Sequence, residues 1–242
     1  MNLKRNNKTN SGFTIIELMI AMAFIALLLL AIATTVMQVG AIYSKGVTMK
    51  SVNQAGRLIV SDMKRTIGEV SPFDVADAYK PHDFNEGSGT VVDYDGGRLC
   101  TGVYSYIWNI GKHIQPDISS PPINQYDGSD SSKPIRLIRV LDSGGQRCKD
   151  EATDRIKLSS ATEMLSEGNL AVQDFRIERL TDNLATGVAV YIINMTISDA
   201  TQDSIKTVDN SCKPPSEGSS YQNYCAVNEF VFTVVAGNKG GQ

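Results

Sequence analysis

The hydrophobic pattern of the chain is strongest near its amino terminus. Leu18 to Ala33 is a run of sixteen residues without a polar side chain, and apolar residues extend it toward Ile15 and Val39. A helix rises about 1.5 Å per residue and the hydrocarbon core of a bilayer is about 30 Å thick, so a spanning helix needs about 20 mostly apolar residues. The pattern therefore predicts a membrane-spanning helix over residues 13–39.

Beyond this run the pattern becomes that of an amphipathic helix. Apolar residues recur at steps of three and four between Gln38 and Val70, and charged residues occupy the other side. Proline disfavours helical geometry in the residue before it, so Ser71 and Pro72 are expected to end the helix. The sequence thus predicts one helix over residues 13–70. Its second part, residues 40–70, is expected to pack on its own domain through Val52, Ala55, Ile59, Met63, Ile67 and Val70.

Residues 71–242 have the pattern of one β-rich domain. Thr90 to Tyr94 and Leu99 to Ile110 are joined by Asp95, Gly96 and Gly97, which predicts a β-hairpin. Gln115 to Pro134 contains four prolines and no apolar period, which predicts a long surface loop. A short helix is expected around Ala161 to Leu165.

Further strands are predicted where β-branched and aromatic residues cluster. Val188 to Ile193 is apolar at nearly every position, as expected for a strand that is covered on both faces or is central in the sheet. The fold class predicted from these patterns is α+β, with a long amino-terminal helix packed on an antiparallel β-sheet. The predicted strands are Ile135 to Leu141, Leu170 to Leu180, Val188 to Ile197 and Phe230 to Ala236.

Charge adds little evidence for a nucleic-acid partner. The chain has 23 basic and 26 acidic residues, and three of the cations, Lys4, Arg5 and Lys8, precede the apolar run. Nucleic-acid-binding surfaces are normally basic stripes, whereas this sequence contains no block of five or six like charges. Only a local basic patch is left open. The length suits one long helix and a single domain.

No catalytic, cofactor or metal motif is present in the sequence. It has two histidines and lacks the G-x-S-x-G, H-E-x-x-H and phosphate-loop patterns. Three aromatic residues alternate along one predicted strand: Tyr104, Tyr106 and Trp108. They form either a platform for a ligand or a cluster that packs in the core and across strands. Several aspartates either ligate calcium through their oxygens or lie in solvated turns, and none of them belongs to an ordered loop motif. They are Asp127, Asp130, Asp199, Asp203 and Asp209.

Four residues distinguish the amino terminus from an ordinary signal peptide, whose apolar region has 7 to 15 residues and ends in a small-residue cleavage site. Gly12, Phe13, Thr14 and Glu17 stand directly before and inside the start of the apolar run. This order resembles the type IV prepilin signature, in which a basic leader ends in Gly, the mature chain begins with Phe, and Glu is its fifth residue. The resemblance implies a leader of residues 1–12, cleavage between Gly12 and Phe13, and N-methylation of Phe13.

The resemblance also gives Glu17 a role in assembly. A carboxylate near the membrane interior costs about 2.5 to 3.5 kcal/mol on insertion scales, and less toward the interface. Glu17 is therefore expected to need a partner. The nearest credible cation is the α-amine of Phe13 that cleavage would free, either its own or that of a neighbouring subunit.

The type IV pilin resemblance is extended by Leu165 to Ile177, which is similar to a segment of PilW-type minor pilins. The resemblance implies a non-catalytic minor pilin that primes or joins a type IV pilus. It would be held first in the bacterial inner membrane, as a single-pass protein, and later in an extracellular or periplasmic filament. The implied partners are other major and minor pilins, the prepilin peptidase, the inner-membrane assembly platform and the lipid bilayer. The alternatives are a pseudopilin of a type II secretion system and an exported adhesin or DNA-binding tip module on a pilin stem.

The four cysteines are Cys100, Cys148, Cys212 and Cys225, none of them in a C-x-x-C pair. An even number in an exported domain favours disulfides over zinc, and four cysteines allow three connectivities. Many pilins staple their carboxy-terminal region, so the resemblance implies that Cys212 pairs with Cys225. Cys100 and Cys148 would then be partners.

Overall fold

The computed structural model divides into two compact units, residues 1–43 and residues 44–242, and each is treated by itself. The predicted leader lies outside the described residues except for Gly12. The structure describes residues 12–82, 96–114, 124–149, 155–165, 169–180, 187–199, 205–206, 210–214 and 225–237.

One long helix, α1 (Ile15–Gly68), contains 54 residues. It begins two residues later and ends two residues earlier than the apolar pattern predicts. The amphipathic stripe is confirmed, because Val52, Ile59, Met63 and Ile67 are all fully buried.

Antiparallel strands form two sheets in residues 71–242. The first has five strands in the order β1-β2-β3-β4-β5, and the second has three in the order β6-β7-β8. A short helix, α2, precedes them. The elements are α2 (Val75–Ala78), β1 (Tyr79–His82), β2 (Gly96–Cys100), β3 (Tyr104–Asn109), β4 (Leu137–Leu141), β5 (Ala161–Glu163), β6 (Leu170–Arg179), β7 (Ala189–Asp199) and β8 (Val227–Ala236).

The largest cluster of buried residues in the described part of the chain joins the stripe of α1 to both sheets. Met63 of the helix, Tyr106 and Trp108 of β3, Phe175 of β6 and Ile193 of β7 belong to the same cluster of buried residues. The ring of Trp108 lies 4.5 Å from that of Phe175, centroid to centroid. Burial of such large apolar side chains is the main stabilising term of the domain. The α+β prediction is confirmed, and the arrangement is a pilin-like architecture.

A polar cluster ties α1 to the first sheet. Asp62 of the helix accepts a hydrogen bond from the Tyr106 hydroxyl at 3.0 Å and forms an ion pair with Arg139 of β4. The hydroxyl of Thr66, one turn further along α1, is also hydrogen-bonded to that of Tyr106. Burial raises the pKa of Tyr106, so the phenol stays protonated and can donate to the carboxylate. These bonds fix which face of the helix meets the sheet.

The contact between α1 and the second sheet depends on a glycine. Gly56 is buried, and the ring of Phe230 in β8 lies directly over it. One helical turn before Gly56, the side chain of Asn53 accepts a hydrogen bond of 2.7 Å from the side chain of Asn228 in β8. A Cβ atom on Gly56 would lie 2.0 Å from Cζ of Phe230, so the ring would have to move.

We expect Gly56→Leu to lower the free energy of unfolding by about 1 to 3 kcal/mol, the usual cost of overpacking a core. The matched control is Gly46→Leu, because no atom lies within 4 Å of a Cβ at that helical glycine. Leucine is the better helix former by about 0.8 to 1 kcal/mol, so the control should be neutral or stabilising. Urea unfolding of the detergent-solubilised chain measures both, and equal effects would contradict the close contact.

Four predicted strands are confirmed within a few residues by β4, β6, β7 and β8. The strand predicted to be central, Val188 to Ile197, is β7, which pairs with β6 on one side and β8 on the other. Its burial alternates along the strand, because one face meets the core and the other is half-covered by neighbouring side chains.

The predicted hairpin turn is wrong. Gly96 and Gly97 lie inside β2, and the turn that joins β2 to β3 is formed by residues 101–103. A Cβ on Gly96 would lie 2.6 Å from the carbonyl oxygen of Trp108, and one on Gly97 would lie 2.6 Å from the indole ring. The two glycines therefore serve close strand packing. Thr90 to Tyr94 lies outside the described residues.

A further local prediction fails. Ala161 to Leu165 is not a helix, because Ala161–Glu163 is strand β5 and pairs with β4.

The predicted surface loop over 115–134 is described only from residue 124. Most residues from 127 to 133 are exposed, as predicted, whereas Asn124 and Tyr126 are buried. Asn124 and Asn109 exchange side-chain and backbone hydrogen bonds of 2.9 Å, which hold this segment in the core.

The structure contains both disulfide bonds of the expected pairing, Cys100 with Cys148 and Cys212 with Cys225. The first joins β2 to a turn of 3₁₀ helix after β4, and the second joins two segments that flank residues 215–224. Their sequence separations are 48 and 13 residues.

Removal of the disulfide that closes the longer loop should destabilise the chain more than removal of the other. In the chain-entropy model, the disulfide that closes the longer loop contributes about 4 kcal/mol to the free energy of unfolding, and the one that closes the shorter loop about 3 kcal/mol. We expect Cys100→Ser/Cys148→Ser to lower the urea midpoint further than Cys212→Ser/Cys225→Ser. Non-reducing peptide mapping of the wild-type chain provides the control, and a cross-pair such as Cys148 with Cys212 would contradict the fold.

Candidate functional site

The candidate site lies at the start of α1, in the unit of residues 1–43. Gly12 and Phe13 precede the helix, and Glu17 is in its first turn. The Phe13 side chain is 89% exposed. A Cβ on Gly12 would meet no atom within 4 Å, so the bond between Gly12 and Phe13 is accessible in this chain.

Thr14 and Glu17 form a reciprocal cap at the helix start. The backbone N–H and the hydroxyl of Thr14 donate to Oε2 of Glu17 at 2.9 and 2.8 Å, and the N–H of Glu17 donates back to the Thr14 hydroxyl at 3.4 Å. This is the capping-box arrangement, which satisfies backbone donors that have no partner within the helix.

The cap changes the expectation that Glu17 needs the Phe13 amine as its partner. In this chain Oε2 is satisfied by Thr14, three residues away. Among the residues described, no donor is hydrogen-bonded to the second oxygen, Oε1. The carboxylate can thus keep its cap and still accept an additional donor. The sequence signal for the cap, T-x-x-E directly before an apolar run, is present at Thr14 to Glu17 and was not used in the prediction.

The helix that follows is apolar around its whole circumference. Every residue from Gly12 to Gly40 is exposed, including large side chains such as Phe24 and Leu29. The hydroxyls of Thr34 and Thr35 both donate to the carbonyl oxygen of Ala31 at 2.9 Å, so these polar groups are satisfied within the helix. The helix is long and apolar enough to cross a membrane.

The structure also describes several of the aromatic and acidic residues that the sequence offered as ligand-binding candidates. Tyr106 and Trp108 are buried in the core, which supports the packing interpretation over a ligand platform. Asp127 precedes a short 3₁₀ helix (Gly128–Asp130) and Asp130 is its last residue, and Asp199 accepts a hydrogen bond from Asn169 at 3.0 Å. Asp203 and Asp209 lie outside the described residues. Within the part of the chain that is described, no three His, Cys, Asp or Glu side chains are grouped as metal ligands.

A cleft of about 710 Å³ lies beside the Cys100–Cys148 disulfide in residues 69–149. Its charged residues are of both signs and include Glu69, Asp77 and Lys80. Lys80 donates to the carbonyl oxygen of Ala76 at 2.9 Å, which caps α2. The cleft therefore has no uniform charge.

Comparison of the chain with protein-family models, with curated proteins and with solved structures finds no match.

Proposed function

We propose that this chain is a type IV pilin-like subunit, a minor pilin that primes or joins a type IV pilus and catalyses no reaction. The observation that carries the proposal is the helix α1. Its first part is apolar on all sides and exposed, and its second part supplies the core stripe of residues 44–242. A helix that is apolar all round is stable only when lipid or other helices surround it.

In this proposal the first part of α1 has two successive environments. It spans the bacterial inner membrane while the subunit waits, and it packs against the helices of other major and minor pilins after the assembly platform extracts the subunit. The three leader cations keep the amino terminus in the cytoplasm, where the prepilin peptidase cuts between Gly12 and Phe13. Phe13 is then N-methylated.

Glu17 works in both environments. The Thr14 cap gives the carboxylate two hydrogen bonds before assembly, which lowers the cost of holding it near the apolar core. Cleavage frees the α-amine of Phe13, and Oε1 of Glu17 is the acceptor left for it or for the amine of a neighbouring subunit. A charged donor in a low-dielectric helix bundle forms a stronger bond than the neutral Thr14 groups.

Filament shearing tests the proposal. Cells that carry the prepilin peptidase should release this chain in the sheared extracellular fraction together with the major pilin. Cells that lack the peptidase should keep it in the inner membrane. Recovery of the chain only from membranes in both strains would contradict the proposed function, and release in both would show that cleavage is not required.

A further inference from the structure

The second sheet has an unprotected edge at β8. In the order β6-β7-β8, strand β8 pairs with β7 on one side, and in the described part of the chain no strand pairs with its other side. An edge strand presents a row of N–H and C=O groups that can pair with another strand. β8 is 10 residues long, contains no proline and carries one charge, at Glu229.

The other edges of the two sheets carry features that prevent pairing. β1 has four residues and includes Pro81, and β5 has three residues. β6 has a bulge after Val172, and its outward side chains include Arg176 and Glu178. Short strands, proline, bulges and charges are the usual protections of an edge. Among these described edges, β8 is the long strand without a proline or a bulge, and its one charge, Glu229, lies near the start of the strand.

The exposed face of the same sheet is apolar where it meets this edge. Val231 of β8 is 62% exposed and Val235 is 45% exposed. Val235 lies opposite Val190 of β7. The backbone N–H of Leu180 donates to the carbonyl oxygen of Val190 at 2.9 Å, so Leu180 continues the same cross-strand row. Leu180 is itself exposed. An apolar patch beside a bare strand edge is typical of a protein interface.

The side chains of β8 are compatible with a second copy of the same strand. If two β8 strands pair antiparallel about a two-fold axis at Thr233, Val231 of each lies opposite Val235 of the other. Glu229 then lies opposite Gly237, so no like charges meet. The two apolar faces stay on the same side, and the interface is self-complementary, as a two-fold interface must be.

We infer that residues 44–242 associate as a two-fold dimer through antiparallel pairing of β8 with β8, which joins two three-stranded sheets into one of six strands. The inference does not depend on the function proposed for the amino-terminal helix. The occupant is a second copy of this chain, because the pairing satisfies both the open backbone groups and the apolar rows at once.

Disulfide cross-linking of the full-length chain in detergent tests the register. Thr233→Cys places two thiols on facing Cβ atoms about 4.5 to 5.5 Å apart, so oxidation should give a covalent dimer. The matched control is Glu178→Cys, in the same cross-strand row but at the opposite edge of the sheet. It should cross-link at least ten-fold less. Equal cross-linking at the two positions, or none at Thr233→Cys, would overturn the inference.

A charge pair provides the second test in the Thr233→Cys background. Val231→Lys/Val235→Lys places Lys opposite Lys twice in the dimer, and cross-linking should fall at least ten-fold. Val231→Lys/Val235→Glu removes the same apolar groups but places Lys opposite Glu twice, and cross-linking should stay within about three-fold of the parent. Equal loss in both variants, or no loss in either, would show that another contact holds the chains together.

Discussion

Glu17→Ala is expected to be inserted and cleaved normally and then to be absent from sheared filaments. In a filament the carboxylate and the Phe13 amine would lie among packed helices, where removal of one partner of a buried pair costs about 3 to 5 kcal/mol. In an isolated membrane helix the same substitution makes the chain more apolar and should favour insertion. Immunoblots of the membrane and sheared fractions measure the two outcomes.

The cap at Thr14 requires a control, because Glu17→Ala also removes it. Glu17→Gln keeps an acceptor for the Thr14 donors but removes the charge, since glutamine also serves in capping boxes. Thr14→Ala removes the hydroxyl of the cap and keeps the carboxylate. If charge pairing governs assembly, Glu17→Gln fails like Glu17→Ala, and Thr14→Ala assembles. Incorporation of Glu17→Gln at the wild-type level would leave capping as the only role of Glu17.

Gly12→Val is expected to leave the basic leader attached to nearly all of the protein. Close approach of another chain to the backbone requires a residue without a bulky side chain. In this structure a Cβ at Gly12 meets nothing within 4 Å, so the substitution should not disturb the chain itself. The loss of processing would then arise in the complex with the peptidase. Gel mobility of the membrane-extracted protein gives the cleaved fraction.

Gly40→Val is the matched control for this prediction. Gly40 is also open, with no atom within 4 Å of an added Cβ, and it lies far along the same helix from the cleavage site. It should be processed at the wild-type level. Complete cleavage of Gly12→Val, or equal loss in both variants, would contradict cleavage after Gly12.

The long helix α1 and the central strand β7 were predictable because burial of apolar side chains dominates the sequence pattern of each. The apolar run and the three-and-four spacing predict α1 because burial decides the helical face over many turns, as at Ile59 and Met63. The apolar run from Val188 predicts β7 for the same reason. Which strands pair, and into which sheet, depends on contacts distant in sequence, such as Tyr106 with Arg139. No local pattern records those contacts.

The failures occurred where a residue type has two uses. Gly96 and Gly97 have the composition of a turn, but the close approach of Trp108 requires them inside a strand. Ala161 to Glu163 has no strand pattern of its own and becomes β5 through pairing with β4. At the site, Gly12, Phe13 and Glu17 were found as a motif, whereas the cap that Thr14 forms with Glu17 was not predicted, because it depends on local hydrogen bonds.

The most direct measurement of the central claim is mass spectrometry of the intact protein extracted from membranes. The account predicts that the mature chain begins with Phe13 and carries one methyl group on its α-amine. A chain that begins with Met1, or one that begins after Val39, would contradict the claim that α1 is a processed pilin-like helix.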